Sequence, residues 1–414
     1  MSSSSQPSTS TSISTGSSTS TTSTDSRVGT SISTDSSTSS STEHSPAAAA
    51  DLAFIQDWNR RQLGLRAAAL STSTSSSSTS GPEAEAEAEA GPTGLASGAG
   101  AAGTQAGPAL ADSFLLAPNK WLGVGERVWR ATALGRLPGS SRRRVTARPS
   151  SRHLGQFQRR LSDAQLPTSV DWRGTGADGP VKDQASCGSC WAFATTGAMT
   201  GAWFLATGQS ISLSEQQIVD CSWDHEVNGC SGGWVENALE YISLDAGGAV
   251  QEADYPYMGQ NAYCRANKHG KAAAFSGYLT LPEGDEGAMM EAVATHGPIA
   301  IAFDANHPTF KYYSEGVYYR ADCGHDADHL DHAVTLVGYG TTEAGTDYWL
   351  LRNSWSLLWG DNGYFKMARK GNDCGVTIDG VVAMVDTNST LGQLRPGSAG
   401  AVAVAAARRQ ALRY

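Results

Sequence analysis

Gln184-Ala185-Ser186-Cys187-Gly188-Ser189-Cys190-Trp191-Ala192-Phe193 is the stretch on which the reading of this chain turns. Cys190 opens an apolar and aromatic run to Leu205 in which only Gly197 and Gly201 interrupt, and Gly208 follows. That pattern predicts a buried helix whose first residue is a thiol. A cysteine attacks as its thiolate, and a helix N-terminus or a neighbouring imidazolium favours that form. Gln184 stands six residues ahead of the thiol, and read alone a loop glutamine carries no function.

Two later segments supply complementary groups. Leu330-Asp331-His332-Ala333-Val334 places an imidazole before an apolar strand and the run Val337-Gly338-Tyr339-Gly340, and Arg352-Asn353-Ser354-Trp355 places an amide beside an indole. Taken singly, each residue has a plain structural reading. A lone cysteine is usually a small buried hydrophobe or half of a disulfide. Cys187-Gly-Ser-Cys190 can be read as a C-x-x-C redox motif, but the βαβ setting of such motifs is missing. His332 is one of nine histidines, and asparagine at a strand end is commonly a turn former.

Taken together, these segments resemble the papain-like cysteine proteases of the cathepsin L and plant vacuolar type; His332 follows Cys190 by 142 residues, within the ~130–150 of that family. The resemblance implies an α+β, two-lobed fold, with Cys190 from a helical lobe, His332 and Asn353 from a β-barrel-like lobe, and a cleft between them. It implies Cys190 as nucleophile, His332 as base and acid, Asn353 as the group orienting the imidazole, and Gln184 with the Cys190 backbone N–H as oxyanion donors. Thiol and imidazole are then expected to rest as an ion pair, the thiol pKa at ~3–4 as in the family. Trp355 is expected to shield the His–Asn bond, and no metal or organic cofactor is required. Cys230-Ser231-Gly232-Gly233-Trp234 corresponds to the non-primed wall of the cleft, where Gly233 bonds an extended substrate. Trp234, Val235, Ala302, Leu330 and Asp379 correspond to the second subsite, which takes a hydrophobic residue. Asp379 at its floor either admits Arg or Lys or faces solvent. The implied bridges are Cys187–Cys230, Cys221–Cys264 and Cys323–Cys374, with Cys190 left over.

Composition divides the chain. Residues 1–50 are largely Ser and Thr, and 71–111 pass from Ser/Thr to Glu-Ala alternation to Gly/Ala; both are too poor in apolar side chains to offset ordering entropy and are expected to be disordered. Asp51 to Leu70 reads as a short amphipathic helix, and Asn119 to Gly135 resembles the later part of the family's prosegment. Residues 51–165 are therefore expected to be a degenerate prosegment whose central helix gives way to the 71–111 insert, which puts self-inhibition in doubt. The peptidase domain is expected over 166–388, helical to about 280 and strand-rich over 281–386, with an Ala/Arg-rich tail at 389–414. Within 166–388 there are 11 Lys+Arg and 28 Asp+Glu. So acidic a body repels nucleic acid, whereas the rest of the chain is net basic.

Ser214 predicts an N-cap and Gln217 a capping-box partner; Trp234 to Leu244 predicts a further helix. Ile299–Phe303, Gly316–Tyr319, Ala333–Tyr339, Tyr348–Arg352 and Gly363–Ala368 predict strands. Cys323, His325, Asp326, Asp328, His329 and His332 are crowded, yet no defined metal-ligand spacing is met. Three bridges require an oxidising compartment, so a lysosome, a vacuole or the cell exterior is expected. The first thirty residues lack the apolar region of a secretory signal, from which the reading expects the natural N-terminus to lie elsewhere. No apolar run approaches a membrane span. The expected partners are peptide and protein substrates and cystatin-like inhibitors, the expected state a monomer. The rival readings are a non-catalytic homologue that binds peptides or inhibitors, and a redox protein using Cys187 and Cys190.

Overall fold

The alternating runs late in the chain assemble into one ten-stranded sheet, and the apolar helix that begins at Cys190 lies against it. A computed structural model describes residues 45–75, 113–137, 153–389, 391 and 398–413. The expected disorder of 1–44 and 76–111 lies outside the described residues. In chain order the elements are α1 (Pro46–Ser75), β1 (Leu115–Leu116), α2 (Glu126–Ala133), β2 (His153–Gln156), β3 (Ser169–Asp171), α3 (Cys190–Thr207), α4 (Glu215–Cys221) and α5 (Val235–Leu244). There follow β4 (Phe275–Thr280), α6 (Glu286–His296), β5 (Ile299–Phe303), α7 (Pro308–Lys311), β6 (Tyr313–Glu315), β7 (Val317–Tyr318), β8 (His332–Thr341), β9 (Asp347–Arg352), β10 (Tyr364–Ala368), β11 (Asp379–Val385), α8 (Ala399–Ala411) and β12 (Leu412–Arg413).

The sheet order is β2-β4-β11-β5-β8-β9-β10-β7, with β3 added to β8 and β12 to β3. Its pairs are antiparallel except β2 with β4 and β10 with β7. Trp191, Met199 and Trp203 of α3 are buried, and truncating such a core side chain costs about 2–5 kcal/mol. Ser214 caps α4 by accepting from the Gln217 N–H at 3.0 Å. The Gln217 side chain does not close the expected capping box; it bonds Gly248 O and the Val250 N–H instead.

Helices do not simply precede strands. β4, on the helical side of the expected boundary, joins β11 in the sheet, and α6 lies beyond that boundary. Asp285 starts α6 by accepting from the Ala288 N–H at 2.8 Å. At the other end of the chain, α1 outruns its expected span in both directions, so 46–50 and 71–75 are helical rather than disordered. Ala47 to Ala50 are the best helix formers, Pro46 occupies the first turn, and Ser45 Oγ accepts from the Ala48 N–H at 3.3 Å.

Asn59 of α1 clamps β1: its Nδ2 donates to Leu116 O at 2.8 Å and its Oδ1 accepts from the Leu116 N–H at 2.9 Å. β1 pairs with β6. Beyond it, Trp121 and Trp129 meet Trp355 edge-on at 5.8 and 6.0 Å between ring centroids. These contacts aim the end of α2 at Cys190.

Candidate active site

Cys190 is the first residue of α3 and His332 the first of β8, while Asn353 directly follows β9. The β8–β9 register, Thr335 opposite Arg352, brings the last two to the same end of the sheet. His332 Nε2 lies 2.9 Å from Asn353 Oδ1. His332 Nδ1 is buried with no hydrogen-bond partner among the described residues, which leaves that nitrogen for the thiol. The Ala333 N–H donates to Cys190 Sγ at 3.4 Å, and the Trp355 ring lies 4.9 Å from the imidazole. Gln184 is fixed through Oε1, which accepts from Ser354 Oγ at 2.6 Å; Ser354 carried no signal of this task in the sequence. The four expected chemical residues are thus gathered at one place.

The cleft is filled by the chain's own leader. Gln184 Nε2 donates to Ala133 O at 3.0 Å and Trp355 Nε1 to the same carbonyl at 3.3 Å. Gly135 and Arg136 donate their N–H groups to Asp331 O at 3.2 and 3.0 Å, and the Gly233 N–H donates to Gly135 O at 2.9 Å. Gly135 passes so close to Gly188 that a Cβ there would fall 1.9 Å from Gly188 O. Only glycine fits at that crossing. The segment therefore runs from the Gln184 donor toward the Gly233 wall, parallel to the latter. A substrate with its carbonyl on Gln184 and its preceding residues on Gly233 runs the opposite way. The contacts that place this segment come from 45–66 and 113–137, on either side of the low-complexity stretch.

Covering changes the electrostatics. Cys190 and His332 are fully buried. Burial pushes the thiol up to about 12, against the N–H groups of Ala333, Gly135 and Trp191. Burial also pushes the imidazole down to about 4, against its bond to Asn353. In the covered form the pair is a neutral thiol and a neutral imidazole, not the expected ion pair, since low-dielectric surroundings disfavour both charges. Asp331, next in sequence to His332, is pushed up to about 7 by burial, against the Ala305 N–H and with Asp304 adding to the rise.

Of the residues expected at the second subsite and the non-primed wall, Gly233 and Leu330 bond the leader directly, at Gly135 O and Arg136 Nη1. Asp379 stands opposite Ala302 in the β11–β5 pairing. Its carboxylate does not simply face solvent: Arg136 Nη2 donates to Asp379 Oδ2 at 2.5 Å, and Arg136 Nη1 to Leu330 O at 3.3 Å. Sequence reasoning missed Arg136, which in sequence is one arginine among many in a basic leader.

The structure contains disulfides Cys187–Cys230, Cys221–Cys264 and Cys323–Cys374, and Cys190 is free. Cys187 is thereby tied to Cys230, which leaves no 187/190 dithiol for the redox reading. Of the crowded histidines, His325 Nδ1 bonds Asn372 O and His329 Nδ1 bonds Asp326. Among the described residues no helix is long and apolar enough to cross a membrane.

Comparison with known proteins agrees with this geometry. The family model "Papain family cysteine protease" matches residues 166–384. A cathepsin L-like peptidase of Aedes aegypti is 51% identical over 216 residues, 52% of this chain and 63% of that protein. Digestive cysteine proteinase 2 of Homarus americanus is 43% identical over 265 residues, 64% of this chain and 78% of that protein. The match thus spans a little under two thirds of the Aedes relative and more of the Homarus one. Among solved structures, digestive procathepsin L2 proteinase from Tenebrio molitor larval midgut superposes with a TM-score of 0.59 at 38% identity, covering 66% of this chain and 84% of that one. With the family model matched over more than half of its length, and with thiol, imidazole and amide gathered at one cleft, this chain belongs to the papain family of cysteine proteases.

Proposed function

We propose that the protein is a cysteine endopeptidase made as a leader-covered precursor. Once the leader leaves, water and the N-terminus of α3 favour charge at the thiol, its proton passes to His332 Nδ1, and the Cys190 thiolate attacks a peptide carbonyl. Gln184 Nε2 and the Cys190 backbone N–H hold the oxyanion, His332 gives its proton to the leaving amine, and a thioester remains. Water then hydrolyses the thioester with His332 as base, and Asn353 keeps the ring in its working tautomer. The observation that carries this reading is the Ala133 carbonyl on Gln184 Nε2, the place an oxyanion needs.

The second subsite takes a hydrophobic residue and, through Asp379, an arginine. Arg136 supports this, since a guanidinium already pairs with that carboxylate. Peptide and protein chains are the substrates, and cystatin-like proteins are its inhibitors. The protein works as a monomer in a lysosome, a vacuole or outside the cell, as three disulfides favour.

The test uses the full chain and its Cys190→Ala variant, freed of leader by acidification or by an added protease. Hydrolysis of matched fluorogenic Leu-Arg and Arg-Arg peptides by the wild type alone, with the Arg-Arg rate falling tenfold or more in Asp379→Ala, is the expected result. Hydrolysis by neither protein sinks the endopeptidase reading, and an unchanged Leu/Arg ratio sinks the pocket assignment.

A further inference from the structure

The family match ends at 384, yet residues 398–413 are folded onto the peptidase domain. Ser398 caps α8 by accepting from the Ala401 N–H at 3.2 Å. Val404, Ala407 and Ala411 are buried in the same core cluster as Phe204 of α3, Val170 of β3 and Trp172. Gly400 lies against Gly208, the left-handed residue that ends α3; a Cβ on Gly208 would sit 2.2 Å from Gly400 Cα. Arg408 Nη2 donates to Thr295 O at 3.0 Å, a carbonyl in the last turn of α6, where a cation is favoured. The chain then turns into β12, where Leu412 pairs with Val170 and Arg413 with Ser169. Thr168 Oγ donates to Arg413 O at 3.2 Å.

β3 is the first strand of the peptidase domain and only three residues long. Its other side has two pairs on β8, Val170 with Tyr339 and Asp171 with Gly338. While the leader is attached, the chain continues upstream into contacts of its own: Glu291 of α6 accepts from the Arg160 and Leu161 N–H groups, and the Phe157 N–H donates to Thr280 O at 2.7 Å. Cutting the leader away near Leu166 turns β3 into a chain end, and short terminal strands fray. Fraying here reaches the core at once, because Trp172 is buried directly behind β3 with its Nε1 donating to Val293 O at 2.8 Å.

We propose that the tail 398–413 is a clamp on the N-terminal strand of the mature enzyme, turning β3 from an edge strand into an inner one. Anchors on α3 and α6 hold β12 in place while the strand it pairs with has a free end. The proposal rests on the reading that the leader is removed.

The test compares the full chain with one ending at Ser389 and with Ala407→Asp, which undocks α8 without shortening the chain. Intact mass after maturation reads which ends remain, and peptide-resolved hydrogen exchange over 167–175 reads the strand. The expected result is a wild type that keeps its tail, with exchange over 169–172 at least tenfold faster in both variants. Their melting temperatures fall by about 5 °C or more, with kcat/KM on a fluorogenic peptide at 25 °C within twofold of wild type. Loss of the tail together with the leader, or unchanged exchange in both variants, overturns the clamp. A chain that never loses its leader counts against the protease reading alone, and the same exchange comparison on it still decides whether the tail holds β3.

Discussion

Arg136 of the leader and Asp379 of the domain form a largely buried ion pair, Nη2 to Oδ2 2.5 Å, with side chains 2% and 13% exposed. One guanidinium therefore anchors the leader to both Asp379 and Leu330 O, two of the residues proposed above for the second subsite. A buried pair is costly to break from one side, because the remaining charge keeps its desolvation penalty. Arg136→Ala is expected to weaken covering by about 2–3 kcal/mol, which is about 30–150-fold in the ratio of covered to open chain. The double variant Arg136→Ala/Asp379→Ala is expected to lose less than the sum of the two single ones. The rate of Cys190 alkylation in the full chain at fixed pH reads the open fraction, and additive effects would refute the coupling.

The thiol itself gives the next prediction. Burial holds it in the protonated form while the leader is seated, and protonated thiols alkylate slowly. Iodoacetamide is expected to modify Cys190 in the covered chain at least a hundredfold more slowly than after leader removal, at any pH from 5 to 7. The disulfide cysteines are silent in the assay, so the label counts one site. Equal rates before and after removal would show that the leader does not exclude solvent from the thiol.

Much of this was legible in residue types and order. The run from Cys190 to Leu205 carries its own helix signal, and the strands around His332 and Asn353 alternate or run apolar as buried strands do. What could not be read is what depends on two distant segments meeting. Nothing in Gly135 or Gly188 alone says that their backbones cross, and nothing in Ala133 says that its carbonyl meets Gln184. The neutral state of Cys190 and His332 follows from who covers them, not from who they are. β4 was lost because both its faces are buried and Gly277 interrupts its pattern. The tail was read as composition only, since the alanines of α8 become informative only against Gly208 and β3.

Glu215 tests the seam between the helices and the sheet. Its carboxylate is 1% exposed, accepts from Lys182 Nζ at 2.7 Å and from Thr196 Oγ at 2.7 Å, and burial pushes its pKa up against the pull of Lys182. Glu215→Ala strands the Lys182 ammonium with only Glu252 and Leu213 O beside it. A loss of about 3 kcal/mol is expected, a fall of about 6–12 °C in Tm for a domain of this size. Glu215→Gln, which still accepts from Thr196, is expected to lose less. Thermal unfolding of the inert Cys190→Ala background checks both, and a neutral Glu215→Ala would mean that the buried charge contributes nothing.

His332 and Asp331 are neighbours with opposite pH signs, and this sets how acid acts on the leader. In a Cys190→Ala chain, where no thiolate holds a proton on the ring, covering lowers the imidazole to about 4 from ~6.5 when solvated. Its contribution to covering is therefore complete above pH ~6.5 and is lost as pH falls toward 4. In the covered chain burial holds the Asp331 carboxyl near 7, against the pull of the leader's Arg130 and Arg136; with an ordinary carboxyl of ~3.9 once the leader is gone, its contribution to covering is complete below that value and is lost as pH rises through 7. Between pH 7 and 4 the two oppose each other, and in that background the leader is expected to loosen only weakly with acid while Asp331 is present. Asp331→Asn removes the opposing group and leaves His332 alone. In the Cys190→Ala background, hydrogen exchange of leader amides 126–137, corrected for intrinsic rate, is then expected to rise tenfold or more from pH 6.5 to 4.5 in Asp331→Asn, and much less with Asp331 present. Adding His332→Gln is expected to flatten the profile again. Equal slopes with and without Asp331 would remove this residue from the control of covering and leave its burial without a part in release.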